Sequence, residues 1–277
     1  MSAFARPGPV ASVGPDHAAP ESWNPLAGDT SAVEWSSYLG LREGDLLSLL
    51  NPGSPPDAAE SAMHESLRAL VLRADYPCLG ARASFHRTLY RFGVYPEMGS
   101  GTMSRAICHD LYEFAHELHD PEVGFASFAA TFLGPEIIDE EHFERLLWDQ
   151  LQQLHDVDSE YFLWDPDVSS DPDDPWFSFS VGGVAYYIVG LHPQASRLSR
   201  RFVYPSIVFN FHTQFAQLRS QGRLESFKRA IRARDVSLQG SVNPALMHGS
   251  GSQARQYSGR AVGPDWRCPL HVSDLSR

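Results

Sequence analysis

The side chains in this sequence best suited to chemistry are its twelve histidines, set among carboxylates, arginines and three cysteines. Imidazole titrates near neutral pH and is a common transition-metal ligand, so its neighbourhoods are the first place to look. One neighbourhood holds His109, Glu113, His116, Glu117 and His119. Glu113-x-x-His116 puts a carboxylate and an imidazole on one helical face, as in di-iron carboxylate proteins, and Asp139-x-x-His142 supplies a second such pair. A solvated polar helix face has the same spacing. His116 and His119 do not make a His-Glu-x-x-His zinc motif, which needs an i, i+4 pair.

A second candidate is His192, which ends the apolar run Val189-Gly190-Leu191 and is followed at once by Pro193, where a strand leaves its sheet. Such a histidine is either a rigid metal ligand facing a cavity or an ordinary loop residue. Arg197, Arg200 and Arg201 lie just behind it and suit the carboxylates of a bound anion. His212, in Phe209-Asn210-Phe211-His212-Thr213, also ends a strand, with Thr213 available as a helix cap. Cys78, after Tyr76-Pro77, and Cys268, before Pro269, are the cysteines in shaped contexts. A thiolate there can ligate haem iron; a buried inert thiol is the alternative. The chain has no Gly-x-Ser-x-Gly, phosphate-loop or dinucleotide fingerprint.

The elements that must position these residues read as alternating helices and strands. Ala, Pro, Gly and Ser without periodicity dominate residues 1–30, which reads as a flexible arm. After a short apolar segment at 46–50 and the breaker run 51–56, Asp57 caps a helix with Met63, Leu67, Leu70 and Val71 on one face. A strand is expected over 83–91, then a helix over 103–118 with Ile107, Leu111, Phe114 and Leu118 inward, and a strand over 125–133. Asp139 starts a helix burying Phe143, Leu146, Leu147, Leu151 and Leu154. Beyond an acidic, proline-punctuated loop at 165–175, residues 177–191 form a hairpin around Gly182-Gly183. A strand over 203–211 and a helix over 213–234, broken at Gly222, follow. The hairpin requires antiparallel pairing, so the expected class is α+β: one domain, 31–277, with a mixed, partly antiparallel sheet flanked by helices.

Composition limits the function classes. The 277 residues carry a net charge of −12, which disfavours nucleic acid and membrane surfaces as partners. Fourteen acidic residues and one arginine fall in 136–174, whereas 197–234 holds nine basic residues and one acidic. Of the 22 basic residues only Lys228 is lysine. Three cysteines without a Cys-x-x-Cys argue against a disulfide-framed secreted fold, and no apolar run reaches bilayer length, so a cytoplasmic location is expected.

Several ordered motifs carry a resemblance. They are Tyr76-Pro77-Cys78-Leu79-Gly80-Ala81, Val189-Gly190-Leu191-His192-Pro193 with Ser196-Arg197 and Arg200-Arg201, and Phe209-Asn210-Phe211-His212-Thr213-Gln214-Phe215 with Leu218-Arg219. Further along stand Ile231-Arg232-Ala233-Arg234-Asp235, Leu238-Gln239-Gly240-Ser241-Val242-Asn243-Pro244, Ala254-Arg255-Gln256-Tyr257-Ser258-Gly259 and Trp266-Arg267-Cys268-Pro269. Over about residues 60–270 this set resembles the YqcI/YcgG family, and within it the haem-dependent arginine N-hydroxylases of specialised metabolism, among them those of the guanitoxin and D-cycloserine pathways. Phe211 stands where the pattern has proline, and Gln253 where it has an acidic residue.

The resemblance implies a b-type haem and oxidation of a guanidino nitrogen of free L-arginine to Nω-hydroxy-L-arginine, with oxygen or hydrogen peroxide as oxidant and an electron-donor protein as a further partner. Under it, His192 is the first choice of axial ligand, His212 the second, and Cys78 or Cys268 the third, a thiolate favouring O–O cleavage. Arg197, Arg200 and Arg201 are then expected at the haem propionates. Glu113, Asp174 and Asp235 are the candidate carboxylates for the guanidinium, and Asn210, Gln256 and Tyr257 the polar substrate contacts. Two rival expectations stand beside it: a non-haem di-iron N-oxygenase built on Glu113/His116 and Asp139/His142, and a non-catalytic haem- or arginine-binding protein.

Overall fold

Side-chain size alternates along two central strands, and this decides what each face of the sheet packs against. The computed structural model describes residues 23–120, 123–241 and 251–273. Among them one sheet contains β1 (Leu39–Arg42), β2 (Asp45–Ser48), β3 (Tyr90–Glu97), β4 (Ser127–Gly134), β5 (Phe179–Val181), β6 (Val184–Leu191) and β7 (Ser206–Phe211). The strand order is β2-β1-β3-β4-β7-β6-β5. Only β3 and β4 run parallel; the other neighbours are antiparallel. The helices are α1 (Thr30–Glu34), α2 (Ala58–Val71), α3 (Leu79–His86), α4 (Gly101–Leu118), α5 (Glu140–Asp158), α6 (Thr213–Ser220), α7 (Leu224–Gln239) and α8 (Ala254–Tyr257). The molecule is a single α+β domain with an open mixed sheet, as its pattern of elements predicts.

Local chemistry explains most of the boundaries. Asp57 and Glu60 form a reciprocal capping box at the start of α2, and the Asp139 carboxylate accepts from the His142 amide to start α5. Gly182 and Gly183, at φ 66° and 68°, take the left-handed conformation that the two-residue β5–β6 turn demands. Gly222, φ 68°, separates α6 from α7.

Two expectations are corrected. The strand read over 83–91 is instead the end of α3 followed by β3, which begins at Tyr90. Ala83 and Phe85 belong to a helix started at Cys78, and the Phe85 ring stacks on Tyr90 at 3.9 Å. The arm expected over 1–30 is ordered from Trp23 onward; residues 1–22 lie outside the described residues. Leu26 is completely buried, Trp23 stacks on His116 at 4.0 Å, and the Asn24 amide donates to the His109 carbonyl and to Glu113. A few large side chains outweigh the Ala/Pro/Gly average of that stretch.

α4 and α5 lie side by side and run parallel. Gln150 bonds Ser104, the Cys108 thiol donates to the Leu154 carbonyl, and the Tyr112 hydroxyl donates to Asp158. Both helices cover one sheet face, filled by Phe128, Phe132, Tyr186, Ile188, Phe209 and Phe211. No helix among the described residues is long and apolar enough to cross a membrane.

Packing is tightest at the end of β6, where a Cβ added to Gly190 would lie 2.5 Å from the Phe143 ring and 2.9 Å from Leu147. Gly190→Ala is therefore expected to lower the unfolding free energy by about 1–3 kcal/mol, read from the denaturant midpoint at unchanged slope.

Candidate functional site

The opposite face of the sheet is built differently. Strand register aligns three rows across β3, β4, β7 and β6: Tyr90-Ser127-Asn210-Tyr187, Phe92-Ala129-Val208-Val189, and Val94-Thr131-Ser206-Leu191. The two central strands thus offer only small or short side chains here, a shallow floor beneath whatever lies above. α2 and α3 cover the β1–β3 side with Met63, Leu67, Val71 and Phe85. Over β6 and β7, Tyr187, Val189, Val208 and Asn210 remain only half buried.

What lies above that half is α7, fastened at its ends. Near its start, Phe227 stacks on Phe125 at 5.4 Å. Near its end, Asp235 pairs with Arg197, Arg234 donates to the Tyr76 carbonyl, and Gln239 accepts from the Leu198 amide. Between these anchors α7 buries almost nothing: Leu224 and Asp235 are its only buried side chains. Because the floor residues of β6 and β7 beside it stay only half buried, we take the space between helix and floor as the candidate cleft.

Cys78 stands at the wall of this cleft. Pro77 and the turn before it end in Cys78 as the N-cap of α3, its sulfur accepting from the Ala81 amide at 3.4 Å. Burial pushes the thiol up, opposed by the Ala81 and Gly80 amides and by Arg200. Burial likewise raises Tyr187, which feels both Arg200 and Cys78. Both side chains are thus deep yet keep accessible surface, as groups lining an internal cleft do. A helix N-terminus and a nearby guanidinium are the features that favour a thiolate once its burial is relieved by a bound cation or metal.

The histidines are elsewhere. His192 has no exposed surface, stacks on Phe143 at 4.1 Å, and has no partner on either ring nitrogen. It points to the packed α5 face, where Glu140 and Arg200 are the charges its ring feels. Arg197 turns to Asp235 and Ser241, Arg200 donates to the carbonyls of Gly190, Gln256 and Tyr257, and Arg201 donates to the Ala195 carbonyl. His192 and the three arginines therefore do not form one site: each guanidinium is taken up by acceptors of the protein, and the His192 ring is enclosed against Phe143. His212 lies at the opposite end of the antiparallel pair, beside Ala185, about 23 Å from the level of His192 at 3.3 Å per residue. Cys268 is half buried and its thiol is pushed up to about 12 by burial, with Asp173 and Glu144 adding to the rise.

The candidate carboxylates are also dispersed. Glu113 is on α4, accepting from Asn24. Asp174 is a half-buried turn residue accepting from the Trp176 amide. Asp235 alone borders the cleft, paired with Arg197. Of the polar contacts, Asn210 holds Ser127 and the Tyr187 carbonyl, and Gln256 accepts from the Tyr187 hydroxyl, so both meet at Tyr187. Tyr257 is fully buried with its hydroxyl accepting from the Phe179 amide, which makes it part of the core. The di-iron arrangement is excluded by distance. α4 and α5 are parallel with Tyr112 beside Asp158, so Glu113 sits about 24 Å along α5 from His142 at 1.5 Å per residue. Among the described residues no three His, Cys, Asp or Glu side chains converge for a metal.

Tyr187 is the residue the sequence motifs do not mark, since it reads as one more aromatic in an apolar run. The available signal was period: Tyr187 is on the same face as Val189 and opposite Asn210.

Burial holds His192 at about 4, against an ordinary value of 6.5, and His64 likewise at about 4. As pH falls below 6.5 the unfolded chain takes protons that the folded chain refuses, so the stability present above 6.5 is lost progressively down to about pH 4. His192→Phe, which keeps the stack on Phe143, is expected to flatten that decline in unfolding free energy measured at a series of pH values. Asp235→Asn, which leaves buried Arg197 without its charge partner, is expected to destabilise by about 3–5 kcal/mol in the same assay.

Comparison with known proteins adds one relationship. No curated protein and no solved structure matches the chain significantly. The model of the YqcI/YcgG family matches residues 67–271, a span that contains Cys78, the floor strands, α7 and α8. That match covers most of the sequence and all of the cleft, and the chain belongs to the YqcI/YcgG family.

Proposed function

We propose that the chain is a haem-dependent N-hydroxylase converting free L-arginine to Nω-hydroxy-L-arginine, of the kind that serves specialised-metabolite pathways such as that to D-cycloserine. The observation that carries the reading is half-buried Cys78 at the start of α3, on the sheet face where the β6 and β7 residues beside α7 are only half buried. The donor set fits a b-type haem there. A floor of short side chains suits a planar macrocycle, and a sulfur at a helix N-terminus suits the iron. Cys78 replaces His192 as the preferred ligand, because His192 has no accessible surface and is stacked against Phe143.

Haem, when bound, supplies the activation of oxygen or peroxide that oxidises the guanidino nitrogen. The remaining work falls to the protein. Val189 and Val208 present apolar surface that keeps water from the reacting nitrogen. Arg200, beside Cys78, favours anionic groups at that wall. In this reading Asn210 and Gln256, both bonded to Tyr187, orient the zwitterionic end of the amino acid, and Asp235, the partner of Arg197 on α7, is the carboxylate for its guanidinium.

Purified protein loaded with haem is expected to show a Soret band that Cys78→Ser abolishes or clearly shifts and His192→Ala leaves in place. An unchanged spectrum in Cys78→Ser overturns the ligand. Absence of Nω-hydroxy-L-arginine in assays with peroxide, or with oxygen and a reductant, from protein that does hold haem supports a binding role without catalysis.

A further inference from the structure

A second cavity lies on the opposite side of the sheet, where the last turn of α5 meets the β5–β6 turn. It measures about 260 Å³, and its walls include His155, Asp158, Phe162, Trp164, Ser170 and Ser273. Asp158 is only 3% exposed. Its two side-chain hydrogen bonds, from the Tyr112 hydroxyl at 2.9 Å and the Gly182 amide at 2.7 Å, both fall on Oδ1. Oδ2 has no donor among the described residues, and none of their ion pairs includes Asp158. A buried carboxylate without a countercharge is costly, and burial lifts this one to about 7. The neighbouring His155 does not supply the charge, because burial pushes its ring towards the neutral form.

The walls point to the same ligand class. The Trp164 ring stands edge-on to His155 at 5.5 Å, and Phe162 adds a second aromatic. Aromatic faces beside a lone carboxylate attract an organic cation. The Trp164 indole Nε1 is buried without a partner, so its N–H reports on whatever fills the space beside the ring.

We propose that this cavity binds a small organic cation, a primary ammonium or guanidinium compound, on the Asp158 carboxylate between Trp164 and Phe162. The site uses none of the residues assigned to the haem cleft and stands independently of that reading.

The test is calorimetric titration of the full-length protein with agmatine, and with n-butylurea as a neutral probe of similar shape. Agmatine is expected to bind wild type and to bind Asp158→Asn at least about tenfold more weakly, while n-butylurea binds neither. Asp158→Asn keeps an oxygen for Tyr112 and Gly182, which protects folding. Should that variant still fail to fold, the Trp164 indole N–H resonance of wild type, assigned by its loss in Trp164→Phe, is expected to shift on adding agmatine. No agmatine binding to wild type, equal affinity in Asp158→Asn, or an unmoved Trp164 resonance overturns the proposal. Cys78→Ser is expected to leave the agmatine titration unchanged, so failure at the haem cleft and failure here are told apart.

Discussion

Everything else in this structure depends on the division of side-chain size between the two faces of β4 and β7. Towards α4 and α5 these strands send Phe128, Phe132, Phe209 and Phe211, each fully or almost fully buried. Towards α7 they send Ser127, Ala129, Thr131, Ser206, Val208 and Asn210. Because successive residues of a strand point to opposite faces, the two sets cannot be exchanged without moving the whole aromatic core to the other side. One face is therefore a close-packed interior, and the other is a floor with room above it.

The ion pairs show how the remainder is fastened to that sheet. Arg91 meets Glu117, Arg105 meets Asp29, Arg197 meets Asp235 and Arg260 meets Glu144 and Glu141, each joining segments far apart in sequence. Arg200 and Arg234 do the same with backbone carbonyls, which a planar fork with five donors does better than an ammonium. The scarcity of lysine thus has a structural use whatever its origin in composition. Buried Asp110 is the acidic counterpart, gathering Ser36, the Ser37 amide, Tyr95 and His109 onto α4. Of the histidine-rich stretch that suggested a metal site, His109 belongs to this network, while His116 stacks on Trp23 and His119 packs against Phe211.

Function in this fold then depends on what is left unfilled. Beside α7 the strands β6 and β7 keep half-buried side chains, and next to the β5–β6 turn the buried Asp158 carboxylate lines a cavity. Both lie where backbone geometry holds polar atoms in place without a side chain to complete them, which is the usual situation of a ligand site.

The sequence by itself determined the α+β class, the Gly182-Gly183 hairpin, the capped starts of α2 and α5, and the family. Each of these follows from local spacing: period 2 or 3.6, a cap three residues ahead of its amide, a glycine pair free to take positive φ. Only the tertiary structure decided which chemical residues meet. His192 is sealed against Phe143, whereas Cys78, more than a hundred positions from Tyr187 and Arg200, is their neighbour in the fold. Proximity in sequence gives no information on side once the chain leaves a strand, because the loop that follows sets the direction afresh. Asp158 makes the same point: within a helix it reads as one more acidic residue, and only the approach of Tyr112 and the Gly182 turn buries it without a cation.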